Sequence, residues 1–214
     1  MSREDKLTNF IIAGGLFNFL ILLYYIFNTS YPCPLFWIHA RKTKIIMKEL
    51  LRRLDRKDIR LSIPLKGKYP EGVVDWVNYK EERTIRELLV VGNVGLRTGV
   101  KVGNCYFCVL DLDGKGWTRI LSSQRVSYIR TVKGIHIYLL IKEKETPRNR
   151  ILYYRGERAG DFLSKGKQIV GVGSIHKEGI VYRLIKRGKW FWKLESVGEL
   201  KERLAEYGVE FSKS

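Results

Sequence analysis

Asn104-Cys105-Tyr106-Phe107-Cys108-Val109-Leu110-Asp111-Leu112-Asp113-Gly114 is an apolar run that ends in two aspartates and a glycine. Its β-branched and aromatic content predicts a buried strand. Residues two apart in a strand share a face. Asp111 and Asp113 therefore project side by side, and Leu112 turns into the core. Two carboxylates on one face repel unless a cation lies between them. Hard cations such as Mg²⁺ take oxygen ligands and leave room for substrate phosphates. A strand that merely ends in a turn uses the same residue types, because Asp and Gly favour turns. The motif gains its meaning from what lies around it.

Downstream, Ile135-His136-Ile137-Tyr138-Leu139-Leu140-Ile141 is a second strongly apolar strand, entered through Thr131-Val132-Lys133-Gly134. A lone histidine in such a strand is usually a satisfied core residue. Lys133 and Gly134 beside it supply a cation and an open backbone, a set that suits a triphosphate. Gly160-Asp161 opens the next segment, and Gln168–His176 reads as a strand running into a loop, with Gly179–Ile185 as its hairpin return. His136 lies 25 residues after Asp111, and Asp161 another 25 after His136. Three acids and a histidine on neighbouring strand ends suit metal-dependent phosphoryl transfer, in which two metals clamp the attacking and leaving oxygens and basic side chains neutralise the polyphosphate.

Upstream, Val90–Gly99 reads as a strand entering a glycine turn, and residues 71–90 as a helix with Trp76, Ile85, Leu88 and Leu89 in the core. Ile63–Pro70 is read as a loop, from its prolines, glycine and lysines. Met47, Leu50, Leu51, Leu54 and Leu61 follow helical spacing among basic residues. Residues 9–28 carry no charge and are apolar on every face, close to the ~20 residues that span a bilayer. Tyr24, Tyr25, Tyr31 and Trp37 resemble an interfacial aromatic belt at the segment's C-terminal end, and a basic cluster from Arg41 to Arg53 follows. The positive-inside rule would then place the remainder in the cytoplasm, tethered to the membrane. A buried hairpin helix, or an upstream extension of the reading frame with a start at Met47, fits the same segment. The division expected is a hydrophobic segment over 1–45 and a catalytic domain over 46–214.

The 117–130 stretch reads as a mixed connector, Lys142–Arg158 as a basic stretch helical in its second half, and Trp190-Phe191-Trp192 as core or edge. Leu200, Leu204 and Tyr207 suggest a closing amphipathic helix. Forty Lys and Arg against 22 Asp and Glu give a net charge of +18. Such an excess makes nucleic acid the first partner to expect and an anionic membrane surface the second. Arg3, Lys6, Arg41, Lys42 and Lys44 against Glu4 and Asp5 account for +3, so residues 47–214 keep +15. Three cysteines make no disulfide framework. Cys105 and Cys108 have C-x2-C spacing but lie within the strand, so free thiols are expected and zinc is not.

The order of these motifs resembles the archaeo-eukaryotic primase superfamily, most closely the primase–polymerase (prim–pol) domains of archaeal plasmids and viruses. Asn93–Gly99 looks like the family's glycine-rich strand, and Val109–Asp113 like its first metal motif. Lys133–Tyr138 resembles its histidine motif, in a form similar to that of bacterial end-joining polymerase domains. Gly160-Asp161, Val170–His176 and Gly179–Tyr182 resemble its third acid and serine-bearing hairpin. The family often has Ser where this chain has Gly134, and neither a zinc stem nor a helicase domain is visible. The resemblance covers roughly residues 47–210, from the extent of the pattern.

It implies an α+β fold: an RNA-recognition-motif-like catalytic sheet with flanking helices, here preceded by the N-terminal hydrophobic helix. It implies DNA-templated nucleotidyl transfer, as a DNA primase and polymerase in replication of a plasmid, virus or archaeal genome. Asp111, Asp113 and Asp161 would bind Mg²⁺ or Mn²⁺. His136 would contact the incoming nucleoside triphosphate, with Arg97, Lys133, Ser174 and His176 as further nucleotide contacts. The DNA template would lie in a basic groove, and a helicase would be a separate protein. An end-joining repair polymerase of the same superfamily is one alternative. A catalytically inert, membrane-tethered nucleic-acid-binding protein is the other.

Overall fold

The structure, a computed structural model, describes residues 62–66, 68–70, 93–114, 117, 123–185 and 188–212. All of them belong to one compact unit, Thr43–Ser214. The expected helices over 9–28, 46–61 and 71–90 lie outside the described residues. The described part is mostly antiparallel sheet with a short helix.

Among the described residues two sheets form. The large one is built around β5 (Cys105–Asp113), the strand predicted from the acidic motif. On one side β5 pairs antiparallel with β7 (Gly134–Ile141) along its whole apolar length. On the other side β4 (Val100–Val102) covers the start of β5 and β9 (Glu157–Leu163) its end. β8 (Arg150–Tyr154) and β13 (Val209–Phe211) extend the sheet beyond β9. Beyond β7 lie β6 (Tyr128–Arg130) and β11 (Arg183–Ile185), while β12 (Trp192–Leu194) runs parallel to the C-terminal half of β7. The small sheet contains β1 (Ser62–Lys66), β2 (Tyr69–Pro70), β3 (Asn93–Arg97) and β10 (Gln168–Val170), in the order β10-β3-β1-β2.

Both faces of β5 and β7 are covered, which is why these strands read as near-continuous apolar runs rather than as alternation. One face presents Cys108, Leu110, Leu112, Ile135, Ile137 and Leu139 to Leu152, Phe162, Trp192 and the helix α1 (Val197–Ala205). Leu200 and Leu204 of α1 are fully buried there, each contributing about 1.5–3 kcal/mol by burial. The helix starts at Ser196, whose hydroxyl accepts from the Glu199 amide at 3.0 Å. The expected closing helix is thus present, with its apolar stripe on the sheet. The opposite face of β5 and β7 presents Phe107, Val109, Tyr138 and Leu140 to Val94, Leu96 and Ile169 of the small sheet and to Tyr182. Cys105 and Cys108 fall on opposite faces of β5, and burial pushes the Cys108 thiol up to about 12.

Three expectations need correction. The expected loop over Ile63–Pro70 is replaced by strands at 62–66 and 69–70: Ile63 and Leu65 alternate inward, fully or almost fully buried, as β1 pairs with β3. The breaker content masked a period-2 pattern of only two apolar residues. The second half of 142–158 is not helical but forms β8 and the start of β9. Arg155 and Gly156 both have positive φ, 53° and 80°, the conformation of a two-residue hairpin turn. Asn-Gly signals such a turn strongly; Arg-Gly does not. The third is partial: 180–182 does return on 173–176, through backbone hydrogen bonds of Tyr182 with Gly173 and Ser174 and of Ile180 with His176 and an Ile175–Val181 bridge, but 183–185 then leaves as β11 to pair with β6 in the other sheet.

Candidate active site on the central strand

The candidate site forms where β7, β5 and β9 run side by side. In register, Asp111 stands directly opposite His136 on one neighbour and directly opposite Asp161 on the other. The three side chains therefore form a row across the sheet on one face, continuing the line of Val109 and Phe107. Asp113 is one step further along that face, exposed at the strand end. Leu112 is fully buried on the other side. The side-by-side carboxylates expected from Asp-x-Asp are present.

Two glycines let the strands close on this point. A Cβ on Gly134 would lie 1.8 Å from the Leu112 carbonyl oxygen, and a Cβ on Gly160 (φ 150°) would lie 2.0 Å from that of Asp111. No other residue type fits either place. The position at which the resembling family often has Ser thus has no room for a side chain.

Each member of the row has a partner. His136, buried on β7, places Nε2 3.3 Å from Asp111 Oδ1. Its Nδ1 is buried without a hydrogen-bond partner. Burial acts to raise the Asp111 pKa, but the His136 hydrogen bond and the charges of His136 and Arg158 outweigh it and hold the carboxyl below its ordinary 3.8. Arg158 Nη2 donates to both oxygens of Asp161, at 2.9 and 2.8 Å. Residues three apart in a regular strand point to opposite faces. Here the β8–β9 register slips by one residue, Tyr153 facing Arg158 and Leu152 facing Gly160. This bulge turns Arg158 onto the face of Asp161. The Arg158 guanidinium is held charged chiefly by its hydrogen bond to Asp161 and the Asp161 charge, with a smaller contribution from the Asp113 charge.

Lys133 is exposed on the tight turn before β7. Its carbonyl accepts from the Gly114 amide at 2.9 Å, which fixes the turn beside the end of β5. Trp117 Nε1 donates to the Asp113 carbonyl at 2.6 Å on the same strand end. The other sequence-predicted contacts are dispersed. Arg97 ends β3 on the face shared with Ile63 and Leu65, the reverse of the face that Val94 and Leu96 turn toward the large sheet. Ser174 is fully buried, and its hydroxyl accepts from the Val94 amide (3.0 Å) and donates to the Val94 carbonyl (3.2 Å). It is a latch on β3 and is not free to contact phosphate. His176 lies in the loop after β10, its Nδ1 accepting from the Glu178 amide at 3.3 Å.

Tyr182 connects the two regions. Its ring centroid is 5.8 Å from that of His136 and 6.5 Å from that of His176. Burial and then the Asp111 charge push its phenol above its ordinary 10. Sequence reasoning missed Tyr182 and Arg158 as site residues. A tyrosine in an apolar hairpin looks like core, and Arg158 reaches the site only through the bulge.

Oxygen-only donors on one face suit a hard divalent cation. As placed, Asp111 is engaged by His136 and Asp161 by Arg158, and among the described residues no group of three or more His, Cys, Asp or Glu side chains is gathered as a cage. No helix among the described residues is long and apolar enough to cross a membrane. Neither a protein-family model nor a curated protein matches the chain.

Proposed function

We propose that the chain is a metal-dependent nucleotidyltransferase that extends or initiates a strand on a DNA template, in keeping with the prim–pol resemblance. The observation that carries this reading is the register that sets Asp111 opposite both His136 and Asp161, with Asp113 beside them. Mg²⁺ or Mn²⁺ would be held by Asp111, Asp113 and Asp161, and would stabilise charge on the oxygens of the transferred phosphoryl group. The chain's own contributions follow from its geometry. His136 orients Asp111 through its Nε2 contact. Arg158 is exposed and held by its Nη2 on Asp161, so it can leave Asp161 for an anionic group when a cation arrives. Lys133 offers a positive charge at the mouth of the row. Template contact rests on the +15 carried by residues 47–214 and is mainly to phosphates.

The pairing of Asp111 with His136 and of Asp161 with Arg158 favours one second reading, an inert nucleic-acid-binding protein. Template-dependent incorporation by the full-length protein separates the two. Incorporation that requires Mg²⁺ or Mn²⁺ and is abolished in Asp111→Asn and Asp113→Asn supports the enzyme. Variants with undiminished turnover overturn the assignment. Extension of a template lacking any primer then separates a primase from an end-joining polymerase.

A further inference from the structure

A pocket of about 280 Å³ opens beside the acidic row, on the other side of Tyr182. Lys66, Lys68 and Tyr69 of the β1–β2 hairpin form one wall, Ile175, His176 and Lys177 the other, and Val170 and Tyr182 complete the lining. Both walls are held in place. Gln168 Nε2 donates to the Lys68 carbonyl at 2.9 Å, tying the hairpin to β10. Asn93 donates to the Ile175 carbonyl and accepts from the Ile175 amide, both at 2.8 Å, and Ser174 is latched to Val94 next to it.

The lining is unusual in two ways. Among the described residues it carries three lysines and a histidine and no carboxylate; the Glu178 carboxylate reaches the edge, 4.0 Å from His176 Nδ1, and leaves the three lysines as an excess of positive charge that attracts an anion. The lining also leaves Tyr69 66% exposed, a large ring kept in water at a hairpin, with Lys68 Nζ 5.3 Å from its centroid. Packing does not require that ring there. An exposed aromatic face among cations is the arrangement that holds a single strand, bases on rings and phosphates on lysines.

We infer that this pocket seats one nucleotide unit of single-stranded DNA, its base against Tyr69 and the flanking phosphates on Lys66, Lys68 and Lys177. The volume is just below the ~300–1,000 Å³ of ordinary ligand pockets, which suits a single unit of a strand that continues outside. Because Tyr182 is shared with His136, a strand seated here passes beside the acidic row. Its role as template rests on the function proposed above; capture of the strand does not.

The test measures strand binding without turnover. Full-length protein is titrated with a fluorescein-labelled oligothymidylate in EDTA, with no nucleoside triphosphate, and anisotropy is read. Tyr69→Ala is expected to weaken binding about 5- to 100-fold, and Tyr69→Trp to retain it. Lys66→Ala with Lys68→Ala is expected to make the slope of log K against log salt shallower by about 0.7 for each phosphate no longer neutralised. Equal binding by wild type and Tyr69→Ala overturns the proposal. So does displacement of the oligomer by free dTTP at matching concentrations, which would make the pocket a mononucleotide site. Strand binding that depends on Tyr69 in a protein with no nucleotidyl transfer would sink the enzymatic reading alone.

Discussion

Gly134-Ile135-His136 and Ser174-Ile175-His176 have the same spacing and the same last two residues, and the fold uses them in opposite ways. In the first, an extended strand places positions 134 and 136 on one face. The glycine has no side chain because β5 leaves no space for one, and the histidine is buried against Asp111. In the second, the chain has left β10 and lies in a loop. The serine is the buried member, spent on the backbone of β3, and the histidine lines a solvent-open pocket. A tripeptide therefore does not carry a role by itself. The element beneath it decides which member meets the backbone and which meets the ligand.

The contrast predicts a descending series of effects. Gly134→Ala is expected to be the most damaging, because a methyl 1.8 Å from a backbone oxygen forces β5 and β7 apart. The destabilisation should exceed about 3 kcal/mol, the upper end of ordinary overpacking. Chemical denaturation reads it directly, and a value below about 1 kcal/mol would contradict the tight β5–β7 approach.

Ser174→Ala comes next, at about 1–3 kcal/mol, since it leaves the buried Val94 amide without its partner. A neutral result would return Ser174 to the pool of free, ligand-facing residues and erase the difference between the two tripeptides.

His136→Gln is expected to have a smaller effect at neutral pH but a distinct acid signature. The folded-state pKa of Asp111 lies below its ordinary 3.8. Its ionisation therefore contributes stability that is fully present above about 3.8 and is lost as pH falls through the lowered value. Without the imidazole, the hydrogen bond and its charge are gone and burial is less opposed, so the Asp111 pKa rises. The acid-unfolding transition, followed by circular dichroism, should move to higher pH. An unchanged transition would mean that the His136–Asp111 pair does not hold Asp111 ionised.

His176→Ala should change stability least, within about 0.5 kcal/mol, because its side chain makes only loose contacts: a 3.3 Å hydrogen bond from the Glu178 amide, a 4.0 Å approach to the Glu178 carboxylate and a ring contact with Tyr182 at 6.5 Å. A destabilisation as large as that of Ser174→Ala would show the loop histidine to be a structural member as well.

The strands around the site were legible where apolar residues ran without interruption. Cys105–Asp113 and Gly134–Ile141 announced themselves because both of their faces are buried, and Leu200 and Leu204 because one helix turn separates them. The same logic placed Asp111, Asp113 and His136 on strands; Asp161 follows no such run and was reached only through the order of the motifs. The logic failed for Ile63–Pro70, where two inward residues are too few to outweigh the prolines and lysines. It failed again at Ile151–Tyr154, where the turn is made by Arg155 in a conformation few residues adopt.

By itself the sequence determined the chemistry that could be present: paired carboxylates at a strand end, a histidine on an apolar strand, and a basic surface. These follow from local periodicity and composition, which need no knowledge of distant contacts. Only the tertiary structure decided which of those groups meet. Register set Asp111 between His136 and Asp161, a one-residue bulge brought Arg158 to Asp161, and the latch from Ser174 to β3 withdrew that serine and held the His176 loop in place beside Tyr69 and Tyr182. Pairings of this kind depend on hydrogen bonds between residues far apart in the chain, and a single-residue slip would move each side chain to the opposite face.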